Sequence, residues 1–480
     1  MNVFEKEEYI MALNQRAYID ASNLYESSLE ISYKKENGVF YTDLSLAEKM
    51  LLELKVDKSS IILDPCCGVG VFIYAAQKHE FTNLYGVDKD EDAILFCKNN
   101  ITSAHFASAD SIAQDVETIL SNINLSEQPD VIIGNPPYVP LTAETTFETD
   151  YLFKRRVSDL GNNLFIAALL RALDLVKVGG IVSYIIPKNF LHVQVYSLLR
   201  KELLEEKTII SIVDIGSYFK NVRGEQVILT IKNVKSEKKH KIKMKKYSSN
   251  RFVLMTSIPQ AFFKNEILVF NCPEDYSIYK KLSSSYHTLN DFCKGYVGRG
   301  KSKSSDAITG KDIRKFGYKN RVLPTEGNTL FIQNIYSAEA GVIAAFGGNL
   351  EASQTITVFT DSDIKMCHYI LGILHSRLCN LFLYKYCYNY SKLTMHTDAK
   401  YLKKIPLPSR RLQDKYFNQV LKLVTDLETG NYMEQTWFNN LEKLNQVIYE
   451  AYNISKKESE FIDSEMKRIQ SKRWFFHEPF

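Results

Sequence analysis

The chain has 480 residues, 45% hydrophobic and 24% charged, a soluble globular composition with enough apolar material for several domains. No run approaches the ~18 uninterrupted apolar residues a membrane span needs. Met1–Ile10 lacks the basic-then-apolar order of a secretory signal, so a cytoplasmic protein with no membrane association is expected. The net charge of +4 identifies no partner, and the 8 cysteines form no paired CxxC units, so thiols are expected reduced and no metal site is expected.

Residues 1–35 read as a helical N-terminal extension. From Gly38 the pattern alternates. Short apolar runs at Ile61–Leu63, Leu84–Val87, Val131–Ile133 and Ile181–Ile186 have the character of buried parallel strands. Helical patterns separate them at Leu44–Leu54, Asp92–Asn99 and Leu164–Val176, the last stopped by Lys177 and Gly179-Gly180. Such alternation predicts a doubly wound α/β sheet over residues 36–245, with Ile209–Asp214 and Val227–Lys232 adding its last strands.

Lys232–Lys246 is dense in lysine, and beyond it the alternation is lost. Residues 246–410 mix short strand-like runs such as Thr355–Phe359 with loops and one apolar helix, Tyr369–Tyr384. This predicts an irregular α+β domain. Residues 411–480 read as a helical tail with Leu421, Val424 and Leu427 on one face.

Three segments carry chemistry. The first is Ile61–Phe72, a strand, a turn with Asp64, Cys66, Gly68 and Gly70, and then a helix opening at Phe72. Glycines there let backbone approach a ligand, and ligands in such sheets bind at the carboxyl ends of strands. The spacing is neither a dinucleotide fingerprint nor a P-loop. The second is Tyr85-Gly86-Val87-Asp88, which puts an acid at the end of the next strand, where it can accept from both hydroxyls of a ribose; the alternative is a helix cap, with Asp90 and Asp92 close by. Asp110 ends a further strand-like run and is a candidate acceptor for an adenine amine.

The third segment is Asp130–Tyr138. Pro136 and Pro137 lack N–H groups and hold the backbone extended, so the Asn135 side-chain oxygen and the Pro136 carbonyl become fixed acceptors. Two acceptors converging on one amine favour the positive charge that develops as its nitrogen attacks a methyl group. Tyr138 offers a flat face to a planar ring.

With these residues the sequence resembles the gamma-class N6-adenine DNA methyltransferases, the TaqI-like and Eco57I-like restriction-modification enzymes. Gly38–Thr42 with Leu46–Met50 looks like the family's opening cofactor motif and precedes the glycine motif, as the gamma order requires. Asn135–Tyr138 matches its catalytic NPPY, and Phe331–Tyr336, Tyr390–His396 and Ile405–Pro408 look like its specificity region. The resemblance implies a Rossmann-like methyltransferase sheet and S-adenosyl-L-methionine as cofactor. It implies a cofactor site of Thr42, Asp64, Cys66, Gly68, Gly70, Phe72, Asp88, Lys89, Asp110, Ser111 and Asn135. Catalysis falls to Asn135, Pro136, Pro137 and Tyr138, and Phe219 with Tyr138 sandwiches the flipped base.

The implied partner is double-stranded DNA, with a separate cognate nuclease beside it, since no nuclease motif stands out in the chain. Arg299, Lys301, Lys303 and Lys392, and the Lys232–Lys246 stretch, then become candidates for phosphate contact. NPPY would equally suit an RNA base amine or a protein glutamine amide, but the long region after residue 245 exceeds what a small amide methyltransferase needs. A catalytically silent DNA-binding subunit is the remaining alternative, against which the intact Asp64, Asp88 and NPPY weigh.

Overall fold

The computed structural model describes residues 3–30, 32–34, 41–141, 151–219, 224–285, 287–292, 297–390, 395–408 and 410–470. Two compact units divide the chain, residues 1–271 and 272–480.

The first unit is built on a nine-stranded sheet in the order β3-β2-β1-β4-β5-β7-β6-β8-β9. The strands are β1 (Ile61–Asp64), β2 (Asn83–Asp88), β3 (His105–Ser108), β4 (Val131–Gly134), β5 (Ile181–Pro187), β6 (Thr208–Gly216), β7 (Gln226–Lys232), β8 (Lys241–Ser248) and β9 (Arg251–Pro259). β3, β2, β1, β4 and β5 run parallel, and β7 inserts antiparallel between β5 and β6. The central strands are covered on both faces, which is why Ile62, Leu63, Val131, Ile132 and Ile133 are all fully buried and show no alternation. The sequence order reverses at the β1–β4 border, the topological switch point where sheets of this kind open a crevice at their carboxyl ends.

Helices pack on this sheet where the sequence predicts them. Asp43 caps Leu44–Leu54 by accepting from the Leu46 N–H at 3.0 Å, and buries Leu46, Ala47 and Met50 in the core. Leu164–Leu175 starts at the Asn163 cap and is almost wholly buried.

The unit extends further than residue 245. The lysine-rich stretch is not a loop: Lys241–Ser248 is β8, parallel to β6, and hairpins onto β9 through Ser249 and Asn250, both at positive φ. Ile242 and Met244 are buried between the exposed Lys241 and Lys243. A register shift after Met244 turns Lys245 inward, where it pairs with Glu53. Lys235 is engaged by Glu206 at 3.0 Å. Lys245 is thus structural, while Lys238, Lys239, Lys241, Lys243 and Lys246 stay exposed, and the boundary of the unit lies at 271.

The second unit holds a four-stranded sheet of 298–299, 356–360, 329–333 and 344–348, in that order. Its core includes Ile313, Phe331, Ala345 and Ile356. The helices Arg410–Thr429, Gln435–Ala451 and Lys456–Ile469 belong to the same unit and are not a separate tail. On the first of them Val420, Val424 and Leu427 are buried and Leu421 is half-buried. Gly372 makes this contact close, because a Cβ there would meet Val420 and Val424 at 2.9 Å. The predicted apolar helix 369–384 is broken at Ser376, which caps a new helix, Arg377–Phe382. Beyond it Lys385 is fully buried and compensated by Asp275 and by Glu465 at 2.8 Å.

Candidate active site

The carboxyl ends of β1 to β4 surround an open cleft. Thr42, Asp64, Cys66, Gly68, Phe72, Asp88, Lys89, Asp110, Ser111, Asn135 and Pro137 all line it. Residues scattered from 42 to 137 in the sequence therefore converge. Gly70 stands apart from the lining. It caps the helix Val71–Lys78 at φ +78°, and a Cβ there would lie 2.7 Å from Ile101 Cδ1, so its role is packing.

Asp64 ends β1, is 1% exposed, and accepts from the Cys66 N–H at 3.1 Å. Burial pushes its carboxyl well above the ordinary 3.8, the Cys66 N–H opposes this, and the charge of Asp88 adds to it. Asp88 ends β2 and accepts from the Gly68 N–H at 2.7 Å and the Asp90 N–H at 3.0 Å. Burial raises it too, against the pull of those two N–H groups. Asp110 accepts from the Ile112 and Ala113 N–H groups, both at 3.0 Å. Ser111 donates to the Pro65 carbonyl, tying the β3 end to the glycine turn. The Cys66 thiol is pushed far up by burial and is no nucleophile.

At the far side of the cleft Asn135 follows β4. Its Nδ2 donates to Thr42 Oγ1 at 3.3 Å. The Tyr138 hydroxyl reaches both Asn135 Oδ1 and the Ile185 carbonyl, the latter at 2.8 Å. Burial raises the Tyr138 phenol well above its usual value, so it stays protonated and donates. Gly134 joins the two halves of the site: a Cβ there would stand 2.6 Å from Asp64 Oδ1.

The structure does not bring Phe219 to this cleft. It is 8% exposed, lies in the hydrophobic core of the unit, and meets Tyr218 edge-on at 5.3 Å. Residues 220–223 after it lie outside the described residues. In the second unit Arg299 is not in a free loop. It lies on a short strand paired with 357–358 and makes an ion pair with Asp398 at 2.8 Å. Lys301 and Lys303 are exposed, and Lys392 lies outside the described residues, as do Gly38, Val39 and Phe40 of the opening motif.

Three features escaped sequence reasoning. Tyr33 and Asp90 line the cleft, and Asp90 had appeared only as a helix cap. Lys188, just after β5, is buried between Asp214 at 2.8 Å and Glu225 at 3.1 Å, at the two feet of the β6–β7 connection. The one available signal was a lysine directly abutting an apolar strand. Among the described residues no group of three or more His, Cys, Asp or Glu could hold a metal, and no helix is long and apolar enough to cross a membrane.

A sheet with this switch point, a glycine turn, and acids at the ends of successive strands make up the S-adenosylmethionine-dependent methyltransferase fold. The pocket fits that cofactor: among the described residues the buried carboxylates are held by N–H donors, and they line a cleft in which a ligand can supply hydroxyl and ammonium partners. Residues 82–220 match the Eco57I restriction-modification methylase family. The chain is 28% identical to the type II methyltransferase M.VspI of Vibrio sp. (strain 343) over 206 residues, 42% of this chain and 49% of that protein. It is 23% identical to the modification methylase CviBIII of Paramecium bursaria Chlorella virus NC1A over 197 residues, 40% of this chain and 48% of that protein. The chain thus spans about half the length of these relatives. Among solved structures, the DrdV–DNA complex superposes with a TM-score of 0.49 at 14% identity, over 89% of this chain and 60% of that one. Residues 82–220 are thus similar to the restriction-modification methylases, and the cofactor is S-adenosyl-L-methionine.

Proposed function

We propose that the protein is a cytoplasmic DNA methyltransferase specific for the N6 amine of adenine, the modification component beside a separate cognate nuclease. The observation that carries this reading is Asn135: a neutral amide at the end of β4, on the cleft lining, followed by two prolines and a phenol bonded to it. The match of residues 82–220 to the Eco57I family and the likeness to type II modification enzymes support DNA as the substrate.

When bound, S-adenosylmethionine supplies a methyl group already activated on sulfonium sulfur. Asp88 would hold the ribose hydroxyls, Asp110 the adenine amine of the cofactor, and the Asp64 turn its methionine end. On the other side, Asn135 Oδ1 and the Pro136 carbonyl would accept hydrogen bonds from the two N–H groups of the target amine, which releases one proton to solvent once methylated. They orient its lone pair and stabilise the positive charge as the nitrogen is alkylated. The target lies inside a duplex, so it must be extruded at a cost of a few kcal/mol. Stacking on an aromatic such as Tyr138 returns about 1–3 kcal/mol.

The deciding experiment is sequencing of DNA from a heterologous host expressing the chain, by a method that reports modified adenines. Methylated adenine at one recurrent sequence is expected. Unmodified DNA from a host in which the protein binds its cofactor would sink the reading, and methyl transfer to RNA or protein would redirect it to those amines.

A further inference from the structure

The N-terminal segment reaches the cofactor cleft from outside the sheet. The helix Val3–Ser28 carries Tyr18 and Tyr25 two turns apart, on one face. Tyr18 stacks on Tyr74, with ring centroids 3.8 Å apart and planes within 5°, and its hydroxyl donates to the Val69 carbonyl at 3.0 Å. The helix is thereby anchored on the glycine turn.

Farther along, the hydroxyls of Tyr25 and Tyr33 donate to one oxygen, Asp90 Oδ2, at 3.1 and 3.2 Å. The other oxygen of Asp90 caps the helix Glu91–Asn100 through the Asp92 and Ala93 N–H groups. The Asp90 N–H in turn donates to Asp88. Tyr33 and Asp90 both line the cleft.

We infer that residues 16–30 and 32–34 form a strap that closes the cofactor cleft, with Asp90 as its latch and Tyr25 and Tyr33 as positioning residues that retain the bound cofactor. The inference rests on the cleft being the S-adenosylmethionine site. A carboxylate is the strongest acceptor a phenol can find here, and two phenols on one oxygen hold two separate points of the strap. The same carboxylate fixes the backbone next to Asp88, so the state of the latch and the shape of the ribose end are one geometry. The Tyr18 anchor is largely aromatic and independent of the latch. Removing the two hydroxyls therefore frees the edge of the cleft without detaching the helix.

The test uses the full chain carrying Tyr25→Phe and Tyr33→Phe together, with Asp88→Ala as a control for the cleft. Titration with S-adenosylmethionine and rapid-mixing release should show affinity weakened about tenfold, carried by faster dissociation. The KM for the cofactor should rise far more than kcat falls, and thermal unfolding without cofactor should stay near wild type. In the wild type, S-adenosylhomocysteine should slow amide hydrogen exchange in the strap. A folded double variant with wild-type affinity and release, beside an Asp88→Ala control that loses binding, overturns the strap and leaves the cleft assignment intact. Should the double variant fail to fold, strap amides of the wild type that exchange equally fast with and without S-adenosylhomocysteine overturn it instead. A wild-type chain that binds no S-adenosylmethionine overturns the cleft assignment and the strap with it.

Discussion

The two ends of the cleft are built from opposite materials. At the cofactor end stand three carboxylates, Asp64, Asp88 and Asp110, each held by backbone N–H donors and facing the cleft. At the target end stand a neutral amide, two prolines and a protonated phenol. The charges near that end, Lys188 with Asp214 and Glu225, are turned on one another. In the proposed function charge holds a ligand and fixed neutral dipoles promote transfer, so mutation and pH should separate the two ends.

The largest effect should come from opening the closed charge set. Lys188→Met strands two carboxylates that are each about 10% exposed. Uncompensated burial of that kind costs about 3–5 kcal/mol, read as a shift of the urea midpoint, with Lys188→Arg recovering part of it. A midpoint at the wild-type value would mean that the carboxylates find other compensation.

Next is Asn135→Ala. Loss of one acceptor in a preorganised site should slow transfer on the order of 100-fold or more while cofactor affinity stays within about twofold. Wild-type turnover would remove the amide from the chemistry, and lost cofactor binding would erase the division between the ends.

Asp88→Ala should act in the opposite column, weakening cofactor binding by about 1.5–3 kcal/mol, the value of a charge-assisted acceptor. An unchanged dissociation constant moves the ribose site elsewhere.

Smaller, and shared between two groups, is the pH response. Asp64 and Asp88 are both raised above 3.8 in the cofactor-free protein. Their contribution to stability is thus fully present below the unfolded value and lost as pH rises through the raised one. The cofactor's donors favour the ionised forms, so its affinity should climb over that same interval, above the ordinary carboxylate range. Calorimetric titration across pH checks this, and a flat profile contradicts it.

The smallest effect should come from the second unit. Replacing Arg299, Lys301 and Lys303 with Ala should lower the slope of log DNA affinity against log salt by about two, not three, because Arg299 already has Asp398. Cofactor affinity should not move. An unchanged slope makes the cluster a solvated surface.

How far the sequence could be read follows the same division. Strands buried on both faces announce themselves as unbroken apolar runs, and the acids at their ends could be placed from order alone. Lys241–Ser248 was obscured because lysines occupy its solvent face and a bulge carries Lys245 to the other, so composition outweighed the alternation of Ile242 and Met244. Phe219 was read from position in a motif, a signal that carries no information on its burial in the core. Tyr33 and Asp90 meet from opposite sides of the glycine turn, a contact between distant segments that no local pattern encodes. Ser376 broke a continuous apolar helix because its hydroxyl caps the Cys379 N–H, a competition that hydrophobic periodicity does not register.

Gly134 bears on how this enzyme can vary by descent. Its missing side chain leaves the space that Asp64 occupies, and a methyl group placed there would stand 2.6 Å from that carboxylate. Asp64 is buried and short, with little room to swing aside. A side chain at the residue before NPPY therefore requires the Asp64 carboxylate to move. Two stretches of sequence that look like independent signatures share one space, and a library that shuffles them separately should recover fewer working combinations than one that keeps them together.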